Sequence, residues 1–200
     1  MTENGIPGGV KSIVMDEGEI ERSLTRIAHQ ILEKNKGADN IAIVGIVTRG
    51  DLLAKNLVDK IEQIEGVRVP LGRLDISFYR DDFASYVSPE VLSTDIMFDI
   101  DGADVILVDD VLYTGRTIRA ALDALMDIGR PETVQLAVLI DRGHRQLPIR
   151  ADYVGKNVPS AANENVRLFL KETDGISAVE ILDMELGQRA GSAPLGNRSV

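Results

Sequence analysis

Asp109 and Asp110 stand side by side at the end of the apolar run Val105-Ile106-Leu107-Val108, and Val111-Leu112-Tyr113-Thr114-Gly115-Arg116-Thr117 follows them directly. Thr114, Gly115 and Thr117 fall at the mouth of a helix, where free backbone N–H groups and the helix dipole favour an anion. Glycine lets the backbone close around a phosphate, and the two hydroxyls add donors. The segment is not a Walker loop, because the G-x-x-x-x-G-K spacing is absent, and it is not a dinucleotide fingerprint. Two acids beside a phosphate would repel it unless something else occupies them. A vicinal sugar diol is a suitable partner, since a carboxylate accepts two hydrogen bonds from it, and one carboxylate could also help ligand oxygens hold a divalent metal. Consecutive strand residues point to opposite faces, so both acids reach one ligand only if the chain is already turning at this point.

Three further groups carry chemistry. Thr48-Arg49-Gly50 follows another apolar run, and an Arg fork with backbone N–H groups suits a pyrophosphate. Tyr79-Arg80-Asp81-Asp82 begins a polar stretch that reads as a lid able to exclude water. Arg142 lies just past a strand end, where it either reaches a bound base or serves a structural role.

The elements that position these groups alternate. Asp16 to Lys34 is expected to be a helix, with Ile20, Leu24, Ile27 and Ile31 within about 60° of one another at 100° per residue. Ile41 to Val47, Val105 to Val108 and Thr133 to Ile140 read as strands buried on both faces. Helices are expected from Asp51 to Ile64 and from about Gly115 to Ile128, the first stopped by Gly66 and the second by Gly129-Arg130-Pro131. Leu74 to Tyr79 resembles a strand, and shorter β-like runs lie at Ala151 to Val154, Val166 to Leu170 and Val179 to Leu182. This order specifies an α/β fold, a central mainly parallel sheet flanked by helices. Ligands of such sheets sit beyond the carboxyl ends of the strands, where the chemistry-bearing residues fall. One domain is expected over residues 14–186, with a flexible N-terminus at 1–13, a mobile flap at about 80–101, a small C-terminal hood at about 141–186 and a disordered tail at 187–200.

Composition narrows the class. The chain has 200 residues, no Cys and no Trp, which excludes a disulfide scaffold, a thiolate metal site and a Cys nucleophile. The N-terminus lacks the pattern of a signal peptide, and no apolar run approaches the ~18–20 residues of a membrane span, so a cytoplasmic protein with no membrane partner is expected. With 22 Lys and Arg against 32 Asp and Glu the net charge is −10, which argues against indiscriminate polyanion binding. The cations are nonetheless clustered. Residues 22–36 and residues 142–156 each hold four Lys or Arg and one acid, a net +3 apiece. On the first helix Arg22, Arg26 and His29 lie opposite the apolar stripe. Such a face is ordinarily just solvated, but this one is free of acids until Glu33 and is joined by Lys34. Neither stretch is rich in aromatics, which argues against stacking on single-stranded bases.

The run from Val105 to Thr117 resembles the PRPP-binding loop of type I phosphoribosyltransferases. That resemblance implies that Asp109 and Asp110 hold the ribose hydroxyls of PRPP, that Thr114 to Thr117 wrap its 5′-phosphate, and that Thr48-Arg49-Gly50 receives the pyrophosphate. It also implies Mg²⁺ bound largely through PRPP, with Asp109 and Asp110 nearby. Leu24 to His29, Tyr79 to Asp82, Asp109 to Thr117 and Asp141 to Asn157 together closely resemble the PyrR family, from about Val14 to Val158. Members of that family regulate pyrimidine biosynthesis genes by binding leader mRNA, through transcription attenuation or translational regulation, and act as uracil phosphoribosyltransferases. The resemblance implies uracil, PRPP and UMP or UTP as ligands, a homodimer or higher homo-oligomer, and an RNA surface built from Thr25, Arg26, His29, Lys34, His144, Arg145, Arg150 and Lys156. Lys34 stands where some relatives have Arg, so the bidentate fork is lost there. The alternative is a plain salvage phosphoribosyltransferase for uracil or a purine base, whose basic face is incidental.

Overall fold

Apolar runs buried on both faces need helices above and below them, and the described residues supply three long ones. A computed structural model describes residues 10–79, 94–161 and 164–183. In chain order these form β1 (Val10–Met15), α1 (Glu17–Asn35), β2 (Ile41–Ile46), α2 (Gly50–Glu65), β3 (Leu71–Leu74), a 3-10 turn (Ser77–Tyr79), β4 (Asp104–Leu112), α3 (Arg116–Ile128), β5 (Thr133–Asp141), β6 (Tyr153–Asn157), β7 (Glu164–Phe169), the single turn α4 (Lys171–Asp174) and β8 (Ala178–Asp183). Strands β3, β2, β4, β5 and β6 pair in that order, all parallel. Strands β1, β8 and β7 form a separate antiparallel sheet, the hood.

The pleat divides the core in two. Ile43, Ile106 and Val108 face α1 and α2, packing with Leu24, Ile27, Leu53, Leu57 and Ile61. Val44, Val105 and Leu107 face α3, packing with Ile118, Ala121 and Leu125. Each fully buried Leu or Ile stabilises the fold by roughly 1.5–3 kcal/mol relative to exposure. The apolar stripe of α1 is buried as its spacing predicts, while Arg22, Arg26 and His29 are exposed. Asp16 caps this helix: its carboxylate accepts from the Glu19 N–H at 2.7 Å, and the Glu19 carboxylate accepts from the Asp16 N–H at 3.1 Å.

Several boundaries differ from the sequence reading, each for a local reason. The strand expected at Leu74 to Tyr79 is instead Leu71–Leu74 followed by the 3-10 turn, because the Asp75 carboxylate accepts from the Ser77 N–H at 2.8 Å and bends the chain. Of the flap expected at 80–101, residues 80–93 lie outside the described residues. The remainder is not a free loop: Arg73 and Asp95 exchange backbone hydrogen bonds of 2.9 Å, and Ile96, Phe98 and Ile100 turn alternately onto the core. The N-terminal segment expected to be flexible contains β1 from Val10 onward, paired with β8. The run placed at Ala151 to Val154 is β6, Tyr153–Asn157, and it forms the edge of the main sheet rather than part of the hood. The tail at 187–200 lies outside the described residues.

Helix α2 starts close against β2, and Gly45 makes that approach possible. A Cβ at Gly45 would lie 2.4 Å from the Asp51 Cα. Gly45→Ala should therefore destabilise the fold by about 1–3 kcal/mol, read as a lower urea midpoint with an unchanged slope.

Candidate active site and basic surface

The site begins where β4 outruns its neighbour. Strand β2 pairs with β4 only as far as Gly45 beside Val108, whereas β5 accompanies β4 to Leu112 beside Asp141. Asp109 and Asp110 therefore sit on a strand paired on one side only. Contrary to the requirement read from the sequence, the chain does not turn at this pair; β4 continues to Leu112 and the turn follows. Each carboxylate instead bonds the next backbone donor. Asp109 Oδ1 accepts from the Asp110 N–H at 2.9 Å, and Asp110 Oδ1 accepts from the Val111 N–H at 2.7 Å. Asp109 is buried and Asp110 half-buried by residue surface. Burial raises the Asp110 carboxyl above the usual carboxylate range, opposed by the Val111 N–H, the charge of Arg49 and contact with the Asp109 side chain.

Thr48, Arg49 and Gly50 converge on the same strand end. The Val47–Thr48 peptide is cis. Gly50 opens α2 so near β4 that a Cβ would lie 2.4 Å from the Val108 carbonyl oxygen. Arg49 is half-buried; its Nη2 donates to both oxygens of Asp174 in the hood, at 3.2 and 3.4 Å. Its Nε is buried without a hydrogen-bond partner among the described residues.

After Leu112 the chain turns through Tyr113 and Thr114 to Gly115, whose φ of 92° admits glycine readily, and α3 begins at Arg116. The turn is held from behind by the segment after β5. Gln146 N–H donates to the Thr114 carbonyl at 3.0 Å, and Gln146 Oε1 accepts from Arg116 Nε at 3.0 Å. Arg145 Nη1 donates to the Tyr113 carbonyl at 2.8 Å, its Nε to the Ile149 carbonyl at 3.0 Å and its Nη2 to Asp141 at 2.6 Å. Arg142 is buried; it donates to Ser160 Oγ at 2.8 Å and to the Glu164 carbonyl at 2.6 Å, and its guanidinium lies 4.2 Å from the Tyr113 ring centre. Of its two readings, these contacts serve the structural one. Val111 is partly buried and packs on the core, and Thr117 lies in the first turn of α3. Tyr79 donates to Asp127 at 2.7 Å, while Arg80, Asp81 and Asp82 lie outside the described residues.

The two basic stretches meet along β6. Arg26 on α1 donates to the carbonyls of Val154 and Gly155, at 3.1 and 2.5 Å. Lys34 pairs with Asp152 at 2.6 Å, and Lys156 donates to the Val14 carbonyl at 2.7 Å and approaches Glu19 at 3.4 Å. Thr25, Arg26 and His29 line a shallow concavity of about 510 Å³ along α1. Beyond the far end of β6, Arg142, Arg145, Arg150 and Asn157 line a second, of about 460 Å³. His144 bonds the Ser160 carbonyl at 2.6 Å. Arg26, Lys34, His144, Arg145 and Lys156 are thus partly committed to the fold, whereas His29 and Arg150 are exposed with no bond to another described residue. The sequence reading missed Asp174, Gln146 and Ser160. Nothing in their spacing marks them, because each acts on a residue distant in the chain.

Among the described residues no helix is long and apolar enough to cross a membrane. The fold and the β4 loop define a type I phosphoribosyltransferase: the model of the phosphoribosyl transferase domain family matches residues 12–172. A hypoxanthine phosphoribosyltransferase of Trypanosoma cruzi superposes with a TM-score of 0.72 at 20% identity, over 96% of this chain and all of that one, a likeness of fold. Within the class the relatives are more specific. The bifunctional protein PyrR of Deinococcus radiodurans is 58% identical over 176 residues, 88% of this chain and 96% of the relative. The bifunctional protein PyrR of Acetivibrio thermocellus is 58% identical over 180 residues, 90% and 98% of the two chains. The chain belongs to the PyrR family.

The raised Asp110 carboxyl has a stability consequence. A folded-state value above the unfolded one contributes stability that is full below the unfolded value and is lost as pH rises through the folded one. Asp110→Asn, which keeps the acceptor for the Val111 N–H, should raise Tm at neutral pH and lose that advantage in acid. A Tm difference between the two proteins that does not vary with pH would contradict this.

Proposed function

We propose that the protein transfers the phosphoribosyl group of PRPP to uracil, giving UMP and diphosphate, and that it binds the leader mRNA of pyrimidine biosynthesis genes with an affinity set by UMP or UTP in the same pocket. Membership of the PyrR family supports both activities. The observation that carries the reading is the convergence of Asp109, Asp110, the Thr114-to-Thr117 helix mouth and the Arg49 guanidinium on the end of one buried strand.

In this reading the α3 N-terminus and the hydroxyls of Thr114 and Thr117 hold the 5′-phosphate, while Val111, Leu112 and Tyr113 carry the chain into the turn with their backbone. Asp109 and Asp110 take the ribose hydroxyls and set negative charge near C1′; because β4 is still extended at the pair, this reading requires that strand end, paired on one side only, to turn as the sugar binds. Uracil N1 bonds to C1′ as the C1′–O bond breaks, the electron pair leaves with the pyrophosphate and the N1 proton passes to solvent. The transition state has oxocarbenium character, so positioning and electrostatics do the work and no covalent nucleophile is needed. Thr48 and Gly50 offer backbone donors to the leaving group, and Arg49 offers its fork. The donor set suits a magnesium ion carried by PRPP, since one or two carboxylates plus substrate oxygens are what that ion takes. When bound, it would neutralise charge on the leaving pyrophosphate.

The RNA surface in this reading runs from Thr25, Arg26, His29 and Lys34 on α1, across Lys156 on β6, to His144, Arg145 and Arg150. Edge strand β6 is the physical link, since Arg26 grips its middle and Arg150 lies by the concavity at its end. In a homodimer two such surfaces would be presented together.

His29 and Arg150 give the discriminating variants because they bond no other described residue. His29→Ala and Arg150→Ala should each weaken binding to a pyrimidine-operon leader RNA by about 10–150-fold in a gel shift, the scale of a lost charged hydrogen bond. UMP should strengthen wild-type binding, and transferase activity should be unchanged in both variants. UMP-insensitive binding that tolerates both substitutions would overturn the regulatory half of the proposal.

A further inference from the structure

Arg49 is held between two carboxylates of different origin. Asp110 on β4 feels its charge, and Asp174 on α4 bonds it directly. Of the two, only Asp174 is bonded directly to the guanidinium; Asp110 feels its charge alone. Asp174 is the better fixed of the pair's members: its carboxylate also accepts from the Leu170 N–H at 2.9 Å and the Thr173 hydroxyl at 2.8 Å, so its position is set by the hood and not by Arg49. Those bonds, with the Arg49 charge, hold the Asp174 carboxyl below the usual range. Asp174 engages only Nη2, at 3.2 and 3.4 Å, which is longer than the ~2.7–2.9 Å of a close charge-assisted bond. The remaining guanidinium donors are left for another acceptor, and Nε in particular is buried without a partner among the described residues.

We infer that Asp174 is a positioning residue for the transfer reaction: from the hood it draws the Arg49 guanidinium away from Asp110 and sets its fork toward the pyrophosphate. This rests on the reading of Arg49 as the pyrophosphate ligand and adds its orienting partner. Without Asp174 the guanidinium loses its anchor on the hood and no longer presents its donors to the leaving group. The pair also ties the hood to the pyrophosphate side across 125 residues of sequence, so seating of the Leu170-to-Gly175 turn and binding of pyrophosphate favour each other.

The test is a double-mutant cycle on the full chain, Asp174→Asn, Arg49→Ala and both together, with dissociation constants measured by calorimetry for magnesium pyrophosphate and for UMP. UMP carries no pyrophosphate and reports the integrity of the rest of the site. Asn retains an acceptor for the Leu170 N–H, and Thr173→Ala serves as a second, milder variant that loosens the same carboxylate. Arg49→Ala and Asp174→Asn should each weaken pyrophosphate by about tenfold, as expected for a charged hydrogen-bond network. Asp174→Asn should add less than about twofold in the Arg49→Ala background, Thr173→Ala should weaken pyrophosphate by about two- to fourfold, and UMP should be unaffected throughout. Loss of UMP affinity in parallel with pyrophosphate would make Asp174 merely structural and overturn the inference. Unchanged or tighter pyrophosphate binding in Asp174→Asn, with Arg49→Ala still impaired, would overturn it while leaving the Arg49 assignment intact. If Arg49→Ala itself binds pyrophosphate normally, the assignment of Arg49 fails first.

Discussion

Charge compensation at the end of β4 is the constraint on which the rest depends. Asp109 and Asp110 are placed just before the turn that opens α3, each carboxylate accepting the next backbone N–H. Burial pushes the Asp110 carboxyl up, and nearby backbone donors and Arg49 pull it back. In the proposed reading the buried acids are offset further when a sugar diol, a metal-bound pyrophosphate and a phosphate each take their share. That is how a site becomes complementary to a charged, dissociating substrate instead of to a stable resting protein.

The surrounding architecture can be understood as support for that strand end. Glycines 45 and 50 let the start of α2 lie against β2 and β4, which brings Thr48-Arg49-Gly50 beside the acids. Arg145 and Gln146 brace the turn from the β5 side through the carbonyls of Tyr113 and Thr114. The same segment continues into β6, which α1 grips through Arg26. Two sets of hydrogen bonds, joined by the covalent run from Gln146 to Val154, therefore connect the turn after β4 to α1, and in the proposed reading this is the route by which a nucleotide biases RNA binding.

Much of this was legible in the sequence because its signals are local. The apolar period of α1, the buried runs of β2, β4 and β5, and the thirteen residues from Val105 to Thr117 each carry their own pattern. What was not legible is non-local. Strand β1 pairs Val10 with Leu182, and no property of Val10–Met15 alone marks it as a strand and not a loose terminus. Asp174 lies in an ordinary Lys-Glu-Thr-Asp turn and acquires its meaning only beside Arg49. The basic residues carry a second role that their spacing does not show. Arg145, Lys34 and Lys156 read only as members of an RNA surface, yet each is also partly engaged in holding the fold. One signal was overlooked: Ile96, Phe98 and Ile100 alternate in the manner of a half-buried extended segment, and they pack as one. The global charge of −10 remains compatible with the two local clusters. An acidic remainder suppresses indiscriminate contacts while β6 joins two +3 stretches into one surface.

Reciprocal linkage tests the central claim most directly, that one chain couples a nucleotide pocket to an RNA surface. UMP affinity should be measured by calorimetry with the protein free and with it saturated by leader RNA, and RNA affinity should be measured with and without saturating UMP at the same salt. Thermodynamic linkage requires the two ratios to be equal, and a coupling of about 1–3 kcal/mol makes each about 5–150-fold. Equal ratios above fivefold are the predicted result. UMP affinity that is identical in the free and RNA-bound protein would show two independent sites and contradict the coupling.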